Sequence, residues 1–248
     1  MMTIEQIKEF ALTRKLPLGQ AEVEYIQTLV LFLIYEEFGS DLVFKGGTAL
    51  ARAYGLPRFS EDLDFTMTKQ KTIIPSLKKL ETRFFVSTEI SFKEFDQSEQ
   101  YVLRVQGPLY TGKGQSLCTV RLDISKREEV LNKPRIISIG NFLPELPSFD
   151  IIVMTPEEIL AEKVRAIMTR DKARDIFDLH YLLLQKTPIV LTLIEKKLSG
   201  YDIKFTKREF QQHLNAKRIL WDTDLSRLVK SYPSFKDVIR FILACIPL

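Results

Sequence analysis

The sequence predicts an α+β protein: a mixed α/β region up to about residue 154, then an α-helical segment. Three observations predict it. Between residues 42 and 153, short apolar runs alternate with polar residues, the period of half-buried strands. From residue 155 onward, apolar residues recur at helical spacings of three and four. The change falls at Thr155-Pro156-Glu157-Glu158, which reads as an N-cap, a proline at the first helical position and the glutamate of a capping box. The junction has no Gly/Ser-rich spacer. Two closely packed domains, 1–154 and 155–248, are therefore expected, with the active site in the cleft between them.

The elements follow in order. Residues 19 to 38 carry Val23, Ile26, Leu29, Val30, Leu33 and Ile34 at helical spacing, and Gly39 is a natural stop. Leu42 to Phe44 is a short apolar run ahead of Gly46-Gly47, and residues 48 to 54 fit one or two helical turns. Leu63 and Phe65 alternate with Asp62 and Asp64, which predicts a strand. Residues 70 to 83 predict a helix with a basic face. Phe84 to Val86, Tyr101 to Val105, Leu117 to Ile124 and Phe149 to Val153 predict strands, with a turn at Thr111-Gly112-Lys113-Gly114.

Composition bounds the function. Of 248 residues, 45% are hydrophobic and 27% charged, ordinary for a globular chain. The longest apolar stretch, residues 26 to 35, is too short to cross a bilayer, and the start lacks the order of a secretory signal. A cytoplasmic protein without membrane contact is expected. Cys118 and Cys245 have no metal-like spacing and read as plain thiols, and His180 and His213 share no motif. The net charge of +4 is mild, but residues 196 to 240 hold eleven Lys/Arg against five Asp/Glu. That surplus suits an anionic macromolecule such as RNA, or simply a solvated helical surface.

The chemistry concentrates in Gly46-Gly47-Thr48, then thirteen residues, then Asp62-Leu63-Asp64. Residues i and i+2 of a strand share a face, so Asp62 and Asp64 are neighbours. Paired carboxylates repel unless a cation joins them, and magnesium (or manganese) suits such oxygen donors. Asp123 interrupts the apolar run Val120-Arg121-Leu122-Asp123-Ile124 and is a third candidate on an adjacent strand. Three carboxylates can hold two metals, one activating a hydroxyl and one clamping a triphosphate. The glycines at Gly46 and Gly47 let backbone N–H groups approach phosphate, and the Thr48 hydroxyl can add a bond.

This ordered combination resembles the polymerase-beta-like nucleotidyltransferase superfamily, and more narrowly the AbiEii/AbiGii toxin family, also called MenT-like nucleotidyltransferases. The resemblance lies in Phe44-Lys45-Gly46-Gly47-Thr48-Ala49-Leu50, in residues 58 to 65 (Arg-Phe-Ser-Glu-Asp-Leu-Asp-Phe), in Glu162-Lys163-Val164-Arg165-Ala166 and in Arg174-Asp175-Ile176-Phe177-Asp178-Leu179. It spans roughly residues 42 to 184; the last third matches only in being helical. It implies a nucleotidyltransferase core with a helical C-terminal lobe, and a toxin of a toxin–antitoxin or phage-defence system with a cognate antitoxin. Several members modify tRNA acceptor ends. By motif it implies phosphate contacts at Gly47 and Thr48, metal at Asp62 and Asp64, NTP phosphates at Lys163, and Asp178 (or Asp175) completing the site. Asp123 follows from the superfamily's logic more than from a family motif.

In the helical half, Lys163 falls inside the apolar arc of its helix, between Ile159 and Ile167, with Arg170 on the same side. A cation there needs a buried partner, a triphosphate being one, or else snorkels at the rim. Asp175 lies on the apolar side of the next helix and Asp178 towards its rim. Asp175 either pairs with Lys163 or Arg170 to hold two helices in register, or takes part in catalysis. Arg58 and Ser60 touch nucleotide or shape the loop before the carboxylate strand. The expected reaction is transfer of a nucleoside monophosphate from an NTP to an RNA acceptor, the tRNA 3′ end. The rivals are a small-molecule or protein acceptor and a nucleotide-binding regulator without turnover.

Overall fold

The computed structural model describes residues 1–127, 129–140, 143 and 145–246. Its elements run α1 (Ile4–Arg14), α2 (Leu18–Tyr35), β1 (Leu42–Lys45), α3 (Gly46–Tyr54), β2 (Asp62–Met67), α4 (Ile74–Phe84), β3 (Thr88–Phe95), β4 (Ser98–Val105), β5 (Cys118–Ser125), β6 (Arg135–Ile139), β7 (Phe149–Val153), α5 (Pro156–Thr169), α6 (Arg174–Leu184), α7 (Leu191–Ser199), α8 (Lys207–Ala216), α9 (Trp221–Leu225) and α10 (Phe235–Cys245). The α+β class is as expected. Among the described residues the strands form one mixed sheet of order β3-β4-β5-β2-β1-β7-β6.

The chain divides into two compact units. The first comprises residues 1–49, 61–130 and 134–153; the second comprises 50–60, 131–133 and 154–248. The second unit thus draws two short segments, 50–60 and 131–133, from earlier in the chain.

In the first unit, α2 is the organising helix. Every residue from Tyr25 to Ile34 is buried, so the helix is apolar nearly all round, as a helix enclosed by a domain must be. Its Tyr35 hydroxyl donates to the carbonyls of Leu42 (3.0 Å) and Ile152 (2.9 Å), tying it to β1 and β7. The β1–β2 pair is antiparallel and β2–β5 parallel, so the carboxylate strand is central. Phe44 and Phe65 are register partners with ring centroids 5.2 Å apart. They mark the apolar face of these strands, and Lys45 and Asp64 fall on the opposite face.

Three local expectations change. The residues 84 to 86 finish α4 and the turn after it rather than forming a strand; the strand begins at Thr88, where pairing with β4 starts. Two elements, α1 and β6, were not among those expected: α1 buries Ile7, Phe10 and Ala11, and β6 reads Arg-Ile-Ile-Ser-Ile and takes its place by pairing with β7. Thr155 does cap α5, accepting from the Glu158 N–H. The Glu158 carboxylate does not complete a capping box; it accepts instead from the N–H groups of Leu131 and Asn132, both at 2.9 Å.

In the second unit, α5 packs against α6, α7 and α8. Lys197 of α7 is buried with its Nζ 2.8 Å from Glu158 and 3.2 Å from Glu162 of α5. None of the helices among the described residues is long and apolar enough to cross a membrane.

Candidate active site

The site begins with a sharp turn between β1 and α3. Gly46 has φ +75°, a left-handed conformation that favours glycine. A Cβ there would lie 2.2 Å from Asp64 Oδ2 and 2.8 Å from its Cγ, so the Asp64 carboxylate rests directly on the Gly46 backbone. The Thr48 hydroxyl, buried, donates a short hydrogen bond to the Asp62 carbonyl. It ties the first turn of α3 to the start of β2. Gln27 of α2 steadies the same strand end, its Nε2 donating to the Glu61 carbonyl at 2.8 Å.

The sheet register brings the three acids together. Asp64 is the register partner of Asp123 on β5, and Asp62 lies two residues earlier on β2. Strand neighbours stand about 4.8 Å apart, and i and i+2 share a face. All three side chains therefore project from one patch, and all three are half-buried, within reach of a solvent-borne ligand. Like charges directly opposite across strands are destabilising. An all-oxygen donor set of this kind suits a hard divalent cation such as magnesium, so the residues fit such a group in chemistry. As the side chains stand, no group of three or more His, Cys, Asp or Glu among the described residues closes on one point as metal ligands do. The shared backbone register is present, and the carboxylates would turn about their side-chain bonds to ligate.

The second unit holds a different cluster, a buried ion network. Lys163 of α5 places Nζ 2.9 Å from Asp175 Oδ1 and 2.6 Å from Asp178 Oδ2. Arg58 donates from Nε to Asp178 Oδ1 (2.5 Å), from a terminal nitrogen to Oδ2 (2.7 Å), and to the Phe59 carbonyl at 2.9 Å. Arg170 grips Asp175 the same way, at 2.8 and 2.9 Å. The pairing expected of Asp175 with Lys163 or Arg170 is present with both. Asp178 is not at the rim: it is as fully buried as Asp175, because Arg58 from residues 50–60 covers it. Burial opposes the charge on Asp175, but Lys163 and Arg170 outweigh it and hold its pKa well below the usual carboxylate range. Burial likewise opposes the charge on Asp178, and Arg58 and Lys163 outweigh it.

The structure thus brings Gly46, Gly47, Thr48, Asp62, Asp64 and Asp123 together in the first unit, and Arg58, Lys163, Asp175 and Asp178 in the second. Ser60 is half-buried at the end of segment 50–60. Three buried lysines had no assigned role in the sequence, Lys45, Lys197 and Lys217. Helical periodicity could have flagged Lys197, which lies one turn from Leu193 and Ile194 on α7. His180 packs edge-on against Phe241, a packing role, and its pKa is lowered by burial. Both thiols are free.

A strand, a Gly-Gly-Thr turn into a helix, and an acid-bearing strand with a third acid in register are the features by which the sequence resembles the nucleotidyltransferases. Solved structures share this fold. A Helicobacter pylori structure described as a putative nucleotidyltransferase aligns with TM-score 0.62 at 24% identity, covering 90% of this chain and 91% of that one. JHP933 from Helicobacter pylori aligns with TM-score 0.57 at 22% identity, over 91% and 89%. MenT4, a nucleotidyltransferase toxin of Mycobacterium tuberculosis H37Rv, aligns with TM-score 0.70 at 19% identity, over 98% and 89%. No curated protein matches in sequence. The family model for the nucleotidyl transferase AbiEii toxin of type IV toxin–antitoxin systems matches residues 29–241. The chain belongs to this family, and is a toxin nucleotidyltransferase with an NTP substrate and an antitoxin partner.

Proposed function

We propose that the protein transfers a nucleoside monophosphate from an NTP to a hydroxyl of an RNA acceptor, the 3′ end of a tRNA, in the cytoplasm, and thereby blocks translation. It would do so as the toxin of a toxin–antitoxin pair, one use of which is phage defence. The observation that carries the reading is the cross-strand placement of Asp64 against Asp123, with Asp62 on the same face, beside the Gly46 turn. The acceptor oxygen attacks the α-phosphorus, the bond to the departing pyrophosphate breaks, and the acceptor proton passes to a carboxylate, Asp123 being the candidate base. Magnesium or manganese held by Asp62, Asp64 and Asp123 would supply charge neutralisation for the phosphates. The first N–H groups of α3, at Gly47 and Thr48, would face a phosphate oxygen. For Lys163 to bind phosphate, it would exchange one of its two carboxylate partners for a phosphate oxygen.

The decisive test uses each labelled NTP, a divalent cation and total tRNA. Wild type is expected to label RNA and release pyrophosphate. Asp62→Asn and Asp64→Asn are each expected to cut transfer by roughly a thousandfold or more, since charge stabilisation is the main source of rate in phosphoryl transfer. Their melting temperatures are expected to stay near wild type. Wild-type turnover in either variant overturns the reading. Labelling of a protein or small molecule and not RNA would move the acceptor to those classes; NTP binding without turnover on any acceptor would make the chain a regulator.

An RNA acceptor is supported by a groove of about 890 Å³ in the second unit. Its lining includes the exposed cations Arg218 and Lys236, Asn215, and the half-buried rings of Tyr232 and Phe235. Cations beside aromatic rings suit single-stranded nucleic acid, which offers phosphates and base faces. The double variant with Arg218→Glu and Lys236→Glu is expected to weaken tRNA binding at least tenfold at low salt and to flatten its salt dependence by about two counterions. Transfer to a small-molecule acceptor, if any, would not respond. Unchanged affinity and salt slope would remove the groove from the acceptor path.

A further inference from the structure

One cation in the Phe44-Lys45-Gly46-Gly47 segment has no task in the chemistry above. Lys45 ends β1 and is only 7% exposed. Lysine is rarely buried, and a buried ammonium needs countercharge. The register identifies where that charge lies. Lys45 is the partner of Asp64 on β2, and Asp64 is the partner of Asp123 on β5. Register partners project to one face, so a single row across three neighbouring strands reads Lys, Asp, Asp. The Phe44–Phe65 pair occupies the other face. The next residue after Lys45 is Gly46, on whose backbone the Asp64 carboxylate rests. The lysine, the turn and the acid are therefore held as one rigid piece.

We propose that Lys45 is a positioning residue that neutralises the Asp64–Asp123 pair and competes with a divalent cation for it. The inference rests on reading the three acids as a divalent-cation site. Two adjacent carboxylates repel, and one ammonium in their row relieves that repulsion. The same ammonium repels a dication arriving at those carboxylates. A nucleotide triphosphate brings its own negative charge and offsets Lys45, so the row admits the cation far better together with the NTP than alone. Lys45 thereby couples loading of the metal to loading of the substrate.

The experiment is a titration of the full chain with Mn²⁺ and no nucleotide, following free Mn²⁺ by electron paramagnetic resonance. Lys45→Met and Lys45→Gln are expected to bind Mn²⁺ roughly tenfold more tightly than wild type, the size expected for removing one nearby charge at a partly screened site. Both are expected to melt at lower temperature than wild type in metal-free buffer. Lys45→Arg keeps the charge and is expected to stay within about twofold of wild type in Mn²⁺ affinity. The glutamine variant keeps a polar head in the row and serves if the methionine variant does not fold. A lysine with a merely structural role would lower the melting temperature and leave Mn²⁺ affinity alone, which overturns the assignment. Weaker NTP binding with unchanged Mn²⁺ affinity would make Lys45 a phosphate ligand and overturn it too. Equal tightening in Lys45→Arg would show that size, not charge, matters. If wild type binds no Mn²⁺ even with NTP present, the divalent-cation reading itself falls; wild-type binding with no change in the variants defeats only the role of Lys45.

Discussion

Gly46→Ala is expected to lower nucleotidyl transfer by roughly a hundredfold or more, the scale associated with a 1 Å misplacement of reacting groups. The new methyl would overlap Asp64 Oδ2 at 2.2 Å and its Cγ at 2.8 Å. The acid must move, and it sits in register with Asp123, so the patch of three carboxylates is broken at its centre. The backbone adds a second penalty, because Gly46 has φ +75° and a left-handed conformation costs an ordinary residue about 1–2 kcal/mol. The two penalties can be separated. Gly112 has φ +83°, and a methyl added there would meet no atom within 4 Å, so Gly112→Ala carries the backbone penalty alone. Single-turnover transfer and thermal melting on both variants make the comparison. Gly112→Ala should lose stability and keep activity, and Gly46→Ala should lose both. Equal activities would mean that the Asp64 position does not govern the reaction.

Asp178→Ala is expected to destabilise the protein by about 3–5 kcal/mol, the range for breaking a buried ion pair on one side. Arg58 and Lys163 are both buried, and both spend their charge on this carboxylate. Adding Arg58→Met in the same chain should recover part of the loss, since fewer uncompensated charges then remain buried. Chemical denaturation of the single and double variants measures this. The pH dependence has a definite sign. Asp175 and Asp178 both have folded pKa values lowered below the unfolded value of about 3.9. Their contribution is fully present above that unfolded value and is lost as pH falls from about 4 towards the folded pKa. Asp178→Asn should flatten the acid limb of the stability profile. An unchanged limb would show that Asp178 gains no stability from its ionised state.

Much of the candidate site's geometry was legible because strands impose strict rules. Once Leu63 and Phe65 assign β2 its inner face, Asp62 and Asp64 must share the outer one, and an acid as misplaced as Asp123 points to a neighbouring strand. Periodicity also put Lys163 and Asp175 on packed helix faces. It failed for Asp178, since a helical wheel records only the helix's own faces. The side chain that buries Asp178 belongs to Arg58, 120 residues earlier. Lys45 was passed over for the opposite reason: in a four-residue strand buried along its whole length, no alternation singles out its one charged member. Lys197 and Lys217 escaped notice because their carboxylate partners are distant in sequence, Glu158 with Glu162 for the one and Asp171 for the other.

The interleaved make-up of the second unit has a consequence for anyone cutting this chain. A fragment starting at residue 154 keeps Asp178 and discards Arg58, and it keeps Glu158 while discarding the Leu131 and Asn132 amides that the carboxylate binds. The same holds during synthesis on the ribosome. The guanidinium of Arg58 leaves the exit tunnel long before its aspartate is made, and stays hydrated until some 120 further residues have followed. The second unit is therefore not made from residues 154–248 alone, and its tie to Arg58 can close only after Asp178 has been made.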